Sequence, residues 1–133
     1  MMPLLVATAV AAFMVALALG LGGASPAAVA HVVFAAGIMP LIFGAMMHFV
    51  PVLTRGRKPG AYIQALPFFI LAAGSATAVA FLLPDFFIAS IRLAAFAGLT
   101  FTLAMASWIL YRARAMLGAP HPCLYWYLAA VLC

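Results

Sequence analysis

Residues 30–60 read AHVVFAAGIMPLIFGAMMHFVPVLTRGRKPG. From Ala27 to Leu53 there is no Lys, Arg, Asp or Glu, and the run then meets Arg55, Arg57 and Lys58 within four residues. About 20 apolar residues in a helix cross a hydrocarbon core roughly 30 Å thick. A spanning strand needs only about 9–11 residues and alternates in polarity. Lipid offers no partner to backbone N–H and C=O groups, so an unbroken apolar run of this length is a membrane helix.

Outward from this stretch the same pattern recurs. A first span is expected over residues 4–21, closed by Gly22, Gly23, Ser25 and Pro26. The second runs 27–53. A third covers 62–83 and turns at Pro84–Asp85, and a fourth covers 86–111. A connection with Arg112, Arg114, His121 and Pro122 follows, then an apolar start of a fifth span over 123–133. The expected fold is all-α, a polytopic transmembrane bundle of four full spans plus the start of a fifth, forming one membrane domain. Eleven helical residues rise about 16 Å, half of a bilayer core. The expectation is therefore an N-terminal fragment of a longer bundle, with a re-entrant or interfacial tail anchored by Tyr125, Trp126 and Tyr127 as the alternative. Ala16-Leu17-Ala18 has the look of a signal-peptide cleavage site, but residues 1–3 carry no base and the apolar stretch is too long. The first span reads as an uncleaved helix.

Composition agrees. The chain is 71% hydrophobic and 5% charged, with a mean hydropathy of +1.33, against about 25% charged residues in soluble domains. Partners implied are the lipid bilayer and further transmembrane helices of the same or another chain. Nucleic acid is not implied by the net charge of +5, because five of the six bases sit in two short connections, as topology determinants do. Those two connections fall on one side by parity. The positive-inside rule makes that side cytoplasmic, which places the N-terminus inside.

Few residues can carry chemistry. His31 and His48 share the second span, and ionisable groups within spans default to a functional role. Along an ideal helix they lie about 25 Å apart and about 100° around the axis, so one ion or one haem cannot be ligated by both. Each is a candidate metal or cofactor ligand for a separate site; the bland reading of each is a hydrogen bond to a neighbouring helix or to the headgroup region. Imidazole suits haem iron, copper and zinc. Met46 and Met47 beside His48 make a soft copper site conceivable. Gly37 and Gly44 share one face, where either a flat macrocycle or a packed helix fits, and Pro40 is expected to disturb the helix between them. Arg92 is the one base inside a span. It is expected either to pair with Asp85 at the interface or to meet a cofactor carboxylate such as a haem propionate. On the fourth span Ala94, Gly98, Thr102 and Ala106 form a small-residue stripe suited to close helix packing. A single acid excludes a two-carboxylate hydrolase, and no phosphate-binding loop is present. No carboxylate lies deep in a span, which speaks against a proton relay or a cation-coupled transporter.

The second span and its exit resemble the haem- and copper-containing NnrS family, related in style to subunit I of haem–copper oxidases. The resemblance rests on His31 opening the helix, Gly37 and Gly44 spaced along it, and Pro51-x-x-Thr54 running into a basic, glycine-containing loop. Val52–Leu53 stand where the family has Asn-Trp. The resemblance covers about 30 residues and implies a longer bundle of around a dozen spans in a bacterial inner membrane. It also implies haem, with copper in second place, and a part in nitric oxide metabolism or nitrosative stress, with His31 an axial ligand. Two other classes stand beside it: a non-catalytic membrane assembly subunit, and part of a transporter, in which kinked glycine-bearing helices also occur.

Overall fold

The computed structural model describes residues 1–83, 87–116 and 119–132, and their side chains except at 87–90 and 132. The described residues form five helices: α1 (Met2–Leu21), α2 (Pro26–Leu53), α3 (Ala61–Leu82), α4 (Phe87–Arg114) and α5 (Pro122–Leu132). No strand occurs among the described residues. Four of the helices are long and apolar enough to cross a membrane, yet only 17–33% of each apolar window is buried. Side chains such as Leu17, 60% exposed, and Phe96, 70% exposed, point outward. In water such faces would aggregate; in a bilayer they meet lipid. The chain is a multi-pass helical membrane protein.

Local chemistry sets the helix ends. α1 closes in a Schellman turn: Ala24 N–H bonds Leu19 O at 2.9 Å and Gly23 N–H bonds Gly20 O at 3.2 Å. Gly23 takes the left-handed conformation this turn needs, φ 78°. Ser25 then caps α2, its Oγ accepting from Ala28 N–H at 3.2 Å, and Pro26 occupies the first turn, where no donor is missed. α4 runs on through Arg114 rather than ending at 111. Arg112 and Arg114 therefore lie on its last turn, where the carbonyl ends of the helix favour cations, and not in the following connection. The turn expected at Pro84–Asp85 lies outside the described residues.

α2 is not uniform. Pro40 cannot donate a hydrogen bond, and its ring presses on the preceding turn. Upstream the helix widens to π form over Val32–Ile38, with Met39 N–H bonded to Phe34 O five residues back. The next carbonyl in that ladder, Ala35 O, would take its donor from residue 40, which has none. There α3 comes to backbone contact. A Cβ on Gly74 would collide with Ala35 O and C and stand 3.1 Å from Ala36 N. On the other side a Cβ on Gly37 would stand 3.3 Å from Ala12 Cβ of α1. The π segment is thus clasped between α1 and α3.

Two apolar clusters complete the bundle. Near the π segment, Ala12 and Ala16 of α1 meet Val32 and Ala78. Toward the basic end, Phe43, Met46 and Val50 of α2 pack with Ile70, Met105, Ile109 and Leu124 from the other helices. Arg112 Nη2–H donates to Arg57 O at 2.8 Å, so the two basic segments lie at one end, as parity requires.

Candidate functional site: the histidines of the second span

His31 closes the first α-helical turns of α2, immediately before the π segment. Its Nδ1 lies 2.8 Å from Ala27 O. A carbonyl only accepts, so Nδ1 carries the proton and Nε2 of the neutral ring keeps its lone pair. The ring stacks on Phe81 of α3, with centroids 4.0 Å apart and planes at 28°. A backbone acceptor on one nitrogen and an aromatic wall on one face fix tautomer and orientation, as metal-ligating imidazoles require.

His48 sits differently. It is exposed near the basic end, with Phe49 edge-on at 5.3 Å. With Gly44 and Met47 it lines a pocket of about 400 Å³ shared with Met1, Met2, Lys58 and Gln64. His31 lies against Phe81 of α3, whereas His48 opens onto the pocket where α1 begins and α2 ends.

The remaining candidates divide. Arg92 is exposed on the second turn of α4, at the same end of the bundle as His31; its suggested partner Asp85 lies outside the described residues. Met46 is only 1% exposed and turns into the core, while Met47 and His48 line the pocket. Met1 and Met2 of the α1 end line it as well. Gly37 and Gly44 both serve helix packing. A Cβ on Gly44 would run into Leu5 Cδ1 and stand 3.1 Å from Met2 Sδ, both of α1. That covers the face on which a macrocycle was the alternative.

The small stripe on α4 gives no close approach at Gly98, where a Cβ would meet only Ile70 Cδ1 at 3.9 Å. Ala94, Gly98 and Thr102 instead line a cavity of about 250 Å³ with Ala35, Gly74 and Thr77. Sequence reasoning did not single out Gly74, although the small run Ala72-Ala73-Gly74-Ser75-Ala76 around it was a signal. It also missed the seat of Arg112 over Gly56, where a Cβ would overlap the guanidinium. At the start of α5, Cys123 N–H donates to His121 Nδ1 at 3.2 Å, and the Cys123 thiol is free and exposed.

Among the described residues, no three of His, Cys, Asp and Glu converge on a point where they would hold a metal. His31 and His48 stand singly, at two ends of one span. No family model, curated protein or solved structure matches the chain.

Proposed function

We propose that this chain is the histidine-bearing part of a membrane haem protein of redox or nitric-oxide-response type, in which His31 Nε2 would hold the iron. The observation that carries this reading is the His31–Ala27 O hydrogen bond, which leaves the lone pair on the outer nitrogen of an already oriented ring. Haem, when bound, supplies one-electron or diatomic-gas chemistry. The chain's own part is to hold the imidazole in one tautomer and brace it on Phe81. Arg92, at the same end, suits an anionic propionate. His48, with no carbonyl or carboxylate orienting its ring, is the second candidate; copper there is the weaker reading, because Lys58 lines the same pocket and repels a cation. The setting proposed is a bacterial inner membrane with the basic end cytoplasmic.

The test is the absorption spectrum of the protein purified in detergent from cells supplied with haem. A haem band is expected in the wild type and in His48→Ala, and its loss in His31→Ala. A colourless wild type, or a band indifferent to His31→Ala, overturns the proposal. A colourless protein favours the second reading, a non-catalytic membrane assembly subunit. Its support here is that His31 is satisfied within its own helix and that α1 presents an apolar outer face of Val10, Met14 and Leu17.

A further inference from the structure

The pocket beside His48 lies where α1 begins, α2 ends and the basic loop turns toward α3. One rim is polar: Lys58, His48 and Gln64. Gln64 spends one amide N–H on Pro59 O at 2.6 Å, leaving its second N–H and its oxygen. The other rim is apolar, with Met2, Met47 and Val52; Val52 is 64% exposed on the outer surface of the bundle.

Charge decides what such a pocket takes. The chain has six Lys and Arg and a single carboxylate. Five of those cations belong to this end, and the one carboxylate, Asp85, lies in sequence between α3 and α4, away from this loop. Among the described residues, no acidic side chain lines the pocket. Lys58 therefore draws its counter-charge from outside the chain, and a bound metal cation would meet repulsion from Lys58, Arg55 and Arg57 in the same loop. An anion is favoured. The apolar rim continuing onto the lipid-facing surface at Val52 selects an anion that carries a hydrocarbon tail. Basic pockets between transmembrane helices are suited to lipid head groups.

We propose that this pocket binds one anionic phospholipid. Its phosphodiester meets Lys58 and the remaining amide N–H of Gln64, and an acyl chain lies along Met47 and Val52. The proposal is independent of any haem at His31, which faces α3 toward the other end of the bundle.

Native mass spectrometry of the detergent-solubilised protein with dioleoyl phosphatidylglycerol and dioleoyl phosphatidylcholine tests it. The expected result is one phosphatidylglycerol retained about fivefold more tightly than phosphatidylcholine, the increment of one basic side chain at a membrane surface. Lys58→Gln is expected to bring phosphatidylglycerol down to the phosphatidylcholine level. Val52→Trp, which keeps every charge and obstructs the apolar rim, is expected to lower it as well. Arg114→Gln, at the same end but outside the pocket, is expected to leave it unchanged. Equal retention of the two lipids overturns the proposal, as does an Arg114→Gln effect equal to that of Lys58→Gln, which would mean diffuse attraction. Displacement of phosphatidylglycerol by excess inorganic phosphate would assign the pocket to a soluble anion and overturn it too.

Discussion

Replacing Gly74 with Ala adds one methyl group at the point where α3 touches the backbone of the π segment. The new carbon would overlap Ala35 O and C and crowd Ala36 N at 3.1 Å. A side chain in the way can rotate aside. These are backbone atoms, fixed by a helix that Gly37 holds against α1 on its far side. Relief requires moving α3 away from α2 as a body, which opens the packing of Val32 against Ala78. Overpacking of this kind costs about 1–3 kcal/mol, and the immobility of the obstacle argues for the upper end, about 3 kcal/mol. That is roughly a 150-fold change in the folding equilibrium, taking about 1.4 kcal/mol per decade. Gly98→Ala is the matched control. Its methyl group meets only Ile70 Cδ1 at 3.9 Å, an ordinary contact beside the cavity. There the gain in helix propensity, up to about 1 kcal/mol, is unopposed. Reversible unfolding of both variants in mixed micelles, followed by circular dichroism, is expected to move their midpoints in opposite directions. If Gly74→Ala stays within about 0.5 kcal/mol of wild type, the scatter of neutral surface changes, the clasped π segment is refuted.

Three further outcomes follow from the helix ends. Gly56→Ala displaces the Arg112 guanidinium, a flexible group, and breaks its bond to Arg57 O, so a loss of about 1 kcal/mol is expected. In an Arg112→Ala background the same change should cost almost nothing, and a double-mutant cycle on unfolding midpoints reads the difference. Arg55→Gly relieves a left-handed residue at φ 46° and is expected to raise stability by up to about 1 kcal/mol, measured on the same midpoints. Ser25→Ala removes the cap on Ala28 N–H and should lower stability by about 1 kcal/mol, with the amide exchange of Ala28 rising as the cap is lost.

The spans were legible because their signal is composition over about 20 residues, and few other sequences produce it. The end of α4 was misjudged because Arg112 and Arg114 read as the beginning of a connection. A helix C-terminus tolerates such charges, and Arg112 is further held by the Arg57 carbonyl. The roles of the glycines were harder to see. A glycine at 37, 44, 74 or 98 looks alike in sequence, and only the neighbour's position tells a backbone contact from an empty wall. The pair Arg55–Gly56 shows the same limit. α1 ends with glycine at the left-handed position, whereas α2 ends in an equivalent turn with Arg55 there and glycine one residue later. The glycine stands one place on because the Arg112 guanidinium, bonded to the carbonyl of Arg57, occupies the space above it.

The π segment also changes what the two histidines can do together. On a uniform helix, 17 steps of about 100° leave His31 and His48 about 100° apart. One extra residue accommodated in a π turn removes a step from that count, which brings the angle to about 160°. The contacts agree in direction: His31 lies against Phe81 of α3, and His48 opens onto the pocket at the start of α1. A group held at His31 would therefore lie at the Phe81 end of α3, away from one held at His48. The glycines between them are already covered by Ala12, Leu5 and Met2 of α1. The second span is better described as two half-helices joined at Val32–Ile38, with one histidine in each, than as one uniform rod. The haem proposed at His31 and the lipid proposed beside His48 would then occupy opposite ends of the bundle, Phe81 and Gln64 marking the two ends of α3.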